Sequence, residues 1–541
     1  MSTMLRLSLR LGRWGIIGFG AIAFINTLLQ AVAFYQIAGT TPAERAKFGQ
    51  SMSILAQQFS VLVAPPIRLD TVGGYVQWRA FGFFAILFAI WALVSATGAA
   101  RGDEEHGIVE VVLATGLSRA RMIAARLIAF ALGSVVAALA ASIALLISVA
   151  AGHESIGTLP AVEAAMPLAA LAICCYGLTL LISQLTSARG AITVAGVVLL
   201  GLFMLNSLGR TFDGVARWNW LSPFHYYELS RPLPPGGTFD LGATIFLLAA
   251  GAAAGALAGL AFIFRDLGSP LVRLPASSHP ASFDVASTPM LRIPIVRDLY
   301  NGRVSLALWC VGMSVLGIVF VVLTKTIVEP LLAIPALKPY FDAFLHGAVY
   351  PSFLGFVWLS VAQLLMAGFA IAHVGRWAAE DTNGRLELIL SNPISRGRVI
   401  IERAVVLTIE ALVIAGTSGV AVGFESHYQG IDLDRPHLLA ATLLLVPFTL
   451  IFAAVGALLA ARAPRATVGI LGAFTFASYL LTQLGPIFKL PEWTLNASAF
   501  KLYGQPLAQG VDQTGLVIML GIVVVGFAAL VIAAQRCDVG A

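Results

Sequence analysis

The chain has 541 residues, of which 59% are hydrophobic and only 11% charged, with a net charge of +6. Soluble domains carry about 45–50% apolar and about 25% charged residues, and the mean hydropathy is +0.89. That composition excludes both a set of water-soluble domains and a disordered chain, and it implies a polytopic membrane protein.

In chain order, Met1 to Arg13 is basic and leads into a long apolar stretch with no small-residue cleavage site, which reads as a retained first helix. A spanning helix needs about 20 apolar residues. Such segments run near 14–37, 79–100, 122–151, 162–187, 190–208 and 241–264. A polar stretch from Arg265 to Arg303 follows, and then segments near 304–325, 353–374, 404–424, 438–461, 467–486 and 515–535. The predicted fold is all-α and integral to the membrane. It has twelve transmembrane helices in two six-helix halves, 1–264 and 304–541, joined by a cytoplasmic linker, 265–303. An even number of spans per half gives both halves one orientation, so the repeat is parallel.

Placing both termini inside puts 21 of the 33 Lys and Arg residues in inner segments, and all five lysines outside. The positive-inside bias therefore predicts an N-in, C-in chain in the plasma membrane. The basic balance matches anionic lipid headgroups and not nucleic acid. Cys174 and Cys175 are adjacent, while Cys310 and Cys537 are isolated, so no metal spacing or disulfide framework follows.

The halves also match residue by residue. Asp103-Glu104-Glu105-His106-Gly107-Ile108-Val109-Glu110 and Glu380-Asp381-Thr382-Asn383-Gly384-Arg385-Leu386-Glu387 lie 277 positions apart. Ser118-Arg119-Ala120-Arg121 and Ser395-Arg396-Gly397-Arg398 keep that offset, as do Arg126 and Arg403. Arg189 with Arg465, and Ser222, Phe224 and Tyr227 with Ser498, Phe500 and Tyr503, are weaker echoes. The two inner loops, near 101–121 and 376–398, each hold a short helix with an i, i+3, i+4 apolar face: Val109, Val112 and Leu113, then Leu386, Ile389 and Leu390. Two readings stand for these helices, a plain interfacial turn or a docking knob for a partner, and duplication favours two knobs for a two-socket partner.

The pattern acidic-acidic-x-x-Gly-x-x-Glu-x-x-Leu followed by Ser-Arg, after the second of six spans, resembles the ABC-2 type exporter permeases. The fused double-length form resembles the polyketide-antibiotic (tetronasin-type) exporter membrane subunits. In that family these loops meet ATPase subunits. The resemblance assigns coupling to Glu104, Glu105, Gly107, Glu110 and Arg119 in one half and to Glu380, Asp381, Gly384, Glu387 and Arg396 in the other. Thr382 replaces Glu105, and Asn392-Pro393 replaces Thr115-Gly116, so the two docking surfaces differ. The resemblance also implies amphipathic elbow helices at Leu5–Arg13 and Ile295–Arg303. It further implies an outer hairpin around Trp218, Trp220, Tyr226 and Tyr227, and around Trp493, Phe500 and Tyr503. An interfacial aromatic belt explains those rings equally well.

In the resembled fold, spans one, two and five of each half line the pathway. The candidates are Asn26, Gln30, Phe34, Phe84, Phe88, Trp91, Phe203 and Asn206, then Phe356, Trp358, Gln363, Phe474, Tyr479 and Gln483. Helix packing or lipid contact competes for each ring, and interhelical hydrogen bonding for each amide. Glu410 is the one carboxylate inside a span, with Gly133 at its counterpart. Its readings are a bonded structural acid, a cargo-selecting group or a proton carrier.

No Gly-x-x-x-x-Gly-Lys-Ser/Thr loop and no His-Glu-x-x-His occurs, so no catalytic or metal-binding residues are expected. ATP and Mg would belong to a separate ATPase, most simply two copies of one. The expected function is an exporter permease moving a hydrophobic or amphipathic compound, drug-like or lipid, by alternating access. The alternatives are an ion-coupled carrier using Glu410 and a non-transporting scaffold.

Overall fold

A computed structural model describes residues 2–39, 41–58, 64–105, 107–152, 156–186, 188–210, 212–269, 271, 289–332, 349–382, 384–391, 393–464, 466–485, 488 and 490–536. His106, Asn383, Asn392, Arg465, Cys537 and, in the 265–303 linker, residues 270 and 272–288 lie outside them. The chain divides into two compact units, Met1–Pro280 and Ala281–Ala541.

The first unit holds α1 (Ser2–Ile37), α2 (Val72–Glu105), α3 (Ile108–Ala114), α4 (Arg119–Ala151), α5 (Thr158–Leu185), α6 (Ala188–Gly209) and α7 (Leu241–Phe264). Its hub is α5, which packs on α2, α4 and α7, while α1 lies along α4. Glycine sets the α5–α7 crossing. A Cβ on Gly177 would stand 2.3 Å from the Gly251 carbonyl oxygen, and one on Gly251 would stand 2.8 Å from that of Ile173. Small residues at such crossings let helix backbones approach where lipid offers no hydrophobic drive.

The second unit holds α8 (Pro294–Leu332), α9 (Val349–Asp381), α10 (Arg385–Leu390), α11 (Arg396–Tyr428), α12 (Arg435–Ala460), α13 (Thr467–Leu484) and α14 (Gln513–Arg536). Here α12 is the hub, packing on α9, α11 and α14, and α8 lies along α11. The helices of the two units therefore choose neighbours in the same order.

Among the described residues eleven helices are long and apolar enough to cross a membrane. The helix at the expected eleventh span is the exception, because its apolar stretch, Thr467–Gln483, is shorter. The whole helix, Thr467–Leu484, is about 27 Å long at 1.5 Å per residue. The expected elbows are not separate elements. Leu5–Arg13 and Ile295–Arg303 are the opening turns of α1 and α8, since no proline or cap interrupts either run. Short helices, Pro223–Glu228 and Ala499–Tyr503, follow α6 and α13, each capped by a serine whose hydroxyl accepts from a Phe amide.

Candidate functional site

Each inner loop is cut from its span by a glycine that only a residue without a Cβ adopts freely. Gly107 has φ 70° and Gly384 φ 68°, left-handed backbone that ends one helix and opens the next. Ser118 and Ser395 then cap α4 and α11 by accepting from Arg121 N and Arg398 N.

The inward face of α3 is the apolar one. Val109 is fully buried, and Val112 and Leu113 pack against the core. The outward face carries Glu110 and Val111, the latter 70% exposed. On α10, Leu386, Ile389 and Leu390 are half-buried, while Glu387 is exposed and Leu388 is 72% exposed. At the repeat offset the two loops thus present the same pair, a carboxylate beside an aliphatic side chain.

A second shared feature ties each loop to the next span. Arg126 Nη2 lies 2.6 Å from Asp103 Oδ2, and Arg403 pairs with Glu380 at the matching positions. Glu105 is exposed, and Asp381 and Arg396 are half-buried.

The first loop has a further anchor. Glu104 is buried and held on all sides. Arg265 grips it in a fork, Nη1 to Oε1 at 2.8 Å and Nη2 to Oε2 at 2.5 Å. Arg101 Nη1 donates to Oε2 at 3.1 Å, and Gly268 N donates to Oε1 at 2.6 Å. The two arginines reach onward to the end of α5, Arg265 Nε to Gln184 Oε1 at 2.7 Å and Arg101 Nε to the Ser183 carbonyl at 2.7 Å. Arg119 Nη1 donates to the Phe262 and Arg265 carbonyls at 2.8 and 2.6 Å, capping α7. Glu104 and Arg119 therefore brace the loop from within, while Glu105, Glu110 and Glu387 face outward. The Arg101 position becomes Ala378 in the second half.

Several pathway candidates of the first half meet in one packed ladder. Phe84, Phe88 and Trp91 run down α2, with centroids 6.2 and 5.7 Å apart, and Trp91 continues through Phe130 to Tyr176 at 4.8 and 4.1 Å. Phe34 is buried against Tyr75, and Asn26 and Gln30 are buried on α1. Asn206 Nδ2 donates to Glu228 at 2.9 Å, and Phe203 packs edge-on to Phe224. In the second half Trp358 and Gln363 are buried, Tyr479 and Gln483 are half-buried, and Phe356 and Phe474 are exposed. The rings from Phe84 to Tyr176 pack on one another in an unbroken series.

Glu410 is buried, with Oε2 3.0 Å from Nε2 of buried His373. Arg376 Nη2 approaches the same imidazole, Phe369 and Trp377 lie edge-on to it, and Trp309 packs on Phe369. Gly302 leaves the room: a Cβ there would stand 3.0 Å from Glu410 Oε1. At Gly133 the space is taken, because Ile16 would lie 2.7 Å from an added Cβ.

Among the described residues no group of three or more His, Cys, Asp or Glu could hold a metal ion. Tyr227 and Tyr503 are buried hydroxyls whose pKa burial drives well above the ordinary range, so both stay protonated donors, to the Phe81 and Ala441 carbonyls.

Arg101, Asp103, Gln184, Arg265, His373 and Arg376 were not among the sequence candidates. Asp103 and Arg126 were legible as a pair, since both recur at the repeat offset. Arg265 and Gln184 lie 161 and 80 residues from Glu104, and no local pattern links them.

The family model described as "Multidrug efflux system permease Rv1217c, C-terminal domain" matches residues 1–265 and 298–534. The multidrug efflux system permease protein Rv1217c of Mycobacterium tuberculosis is 26% identical over 488 residues, covering 88% of this chain and 84% of that protein.

Proposed function

The chain belongs to the multidrug efflux system permease family, and from that premise we propose that it is the membrane subunit of an ATP-driven exporter for hydrophobic or amphipathic compounds. It is a multi-pass protein of the plasma membrane. In this reading it is an ABC-2 type permease of the tetronasin-exporter kind, with twelve spans in two parallel halves and both termini inside. Two copies of an ATPase supply ATP and Mg chemistry, and the chain itself catalyses nothing. Nucleotide-driven closure of those subunits is passed through α3 and α10 into alternating access.

One observation carries this reading. Two loop helices, 277 residues apart, each open on a left-handed glycine and present an exposed carboxylate beside an exposed aliphatic residue. A carrier driven by an ion gradient has no use for a duplicated knob of this kind. Affinity purification of the chain from its native host is expected to bring down a soluble ATPase, most simply two copies per chain, whose turnover the isolated permease lacks. Recovery of the permease alone, still competent to export, would contradict the proposal.

A second reading keeps the efflux function and changes the power source. The buried His373–Glu410 pair, at 3.0 Å in one half only, is the group an ion-coupled carrier would use.

A further inference from the structure

The repeat breaks down where the last helix of each unit meets the third span. In the first unit glycine closes that contact. A Cβ on Gly255 of α7 would stand 2.6 Å from Leu127 Cδ2 of α4, and one on Gly259 would stand 3.9 Å from Ile123 Cγ2. Asp240 and Asp512 head α7 and α14, and the carboxylate of each accepts from an amide of the first turn. Counted from these aspartates, Val523, Phe527 and Val531 take the places of Gly251, Gly255 and Gly259. On α11, at the repeat offset, Ala404 takes the place of Leu127. Large side chains on α14 thus stand where the first half has glycine, and the leucine that filled the seat is gone. The last helix leans on α12 instead, where a Cβ on Gly526 would stand 2.9 Å from Ala454 Cβ.

The exchange leaves a groove of about 410 Å³ between α11 and α14, floored by Leu450 of α12. Ligand pockets span about 300–1,000 Å³. Its walls include Ile401, Ala404 and Thr408 on one side and Val524, Phe527 and Ala528 on the other. All six are half-buried or exposed, so an occupant reaches them from outside the helix bundle. Thr408 adds no free polar group, because its hydroxyl donates to the Ala404 carbonyl at 2.7 Å.

Depth and charge identify the occupant. Ile400 and Thr408 lie 4 and 12 residues beyond Arg396, the first residue of α11. At 1.5 Å per residue the groove runs from about 6 to about 18 Å along the helix, close to one leaflet's share, about 15 Å, of the hydrocarbon core. At its mouth stands Arg398, one turn before Ile401, with 62% of its side chain exposed. Glu402 Oε1 accepts from its Nε at 2.9 Å, and no hydrogen bond occupies its Nη groups among the described residues. A guanidinium offers paired donors to phosphate oxygens.

We propose that this groove holds one acyl chain of an anionic phospholipid, whose phosphate is bound by Arg398. The lipid then sits at the base of α11, directly after the second loop helix. The site is independent of what drives efflux.

The test uses the full chain in detergent micelles, given phosphatidylglycerol that carries a photoreactive diazirine in one acyl chain. Mass spectrometry of the cross-linked peptides locates the label. Ile401, Val524 and Ala528 are expected to be labelled above Val525 and Ile532, which are exposed on α14 outside the groove. Unlabelled phosphatidylglycerol should compete at a concentration about tenfold lower than phosphatidylcholine with the same chains, and Arg398→Gln should abolish that preference. Ala404→Leu, which restores the side chain of the first half, should cut labelling in the groove tenfold or more with the lipid-free melting temperature unchanged. Should Ala404→Leu fail to fold, Ala528→Phe at an exposed wall position replaces it. Equal labelling inside and outside the groove, or equal competition by the two lipids, would overturn the proposal and leave only unselective contact with bulk lipid. Cross-links between two copies of the chain in place of lipid would overturn it too, and make the groove an interface.

Discussion

Replacing Glu104 by alanine is expected to strip most of the folded protein from the membrane, because Arg101, Arg265 and Gly268 all bind its carboxylate. The change leaves Arg101 and Arg265 buried together without a counter-charge, and breaking a buried ion pair costs about 3–5 kcal/mol. That is a large share of a native stability of about 5–15 kcal/mol. Glu104→Gln keeps two acceptor sites or fewer and still leaves two cations, so it should fall between wild type and alanine. Glu380→Ala is the comparison. Glu380 and Arg403 retain 30% and 18% side-chain exposure, and water takes over what the pair loses. Thermal melting followed by size-exclusion fluorescence should rank the variants Glu104→Ala, Glu104→Gln, Glu380→Ala in rising stability. Equal melting temperatures for the two alanine variants would show that the cage around Glu104 holds nothing together.

The opposite outcome is expected on the outward faces. Reversing charge at Glu110 and Glu387 together should leave yield and melting temperature at wild-type values, because both side chains are exposed. Export should fall tenfold or more, on the order of the 1.4 kcal/mol per decade that a lost charged contact with a partner can account for. The single variants should differ. The two loops differ in sequence, with Thr382 standing for Glu105 and Asn392-Pro393 for Thr115-Gly116, so the two contacts are not equivalent. Wild-type export by the double variant, with the ATPase still bound, would remove the docking role.

Much of the fold was legible because membrane helices announce themselves. Long apolar runs are local signals, and the helices fall where those runs put them. The expected eleventh span, 467–486, falls on α13, Thr467–Leu484. The elbows were misjudged because an amphipathic run and the first turns of a span look alike until a break is seen between them.

The site divided along a different line. Glu110 and Glu387 were legible from the repeat, and so was the matching of Arg126 with Arg403. The burial of Glu104 was not, because its partners come from the end of α5 and the chain after α7, and only the fold brings them together. The same holds for His373, a lone histidine in a span until Glu410 is placed 3.0 Å away. For the pathway rings, sequence specified aromatic character but not direction: Phe84, Phe88 and Trp91 pack against one another along one helix face.

Whether ATP or an ion gradient drives efflux is decided by one transport measurement. The permease and its co-purified ATPase, in inverted vesicles, are supplied with a fluorescent amphiphilic dye and either ATP or an imposed proton gradient. ATP-dependent dye accumulation is expected, unaffected by a protonophore and by Glu410→Gln, and abolished by vanadate. Accumulation driven by the proton gradient without ATP, and lost in Glu410→Gln, would contradict the ATP-driven mechanism and assign the energy coupling to the His373–Glu410 pair.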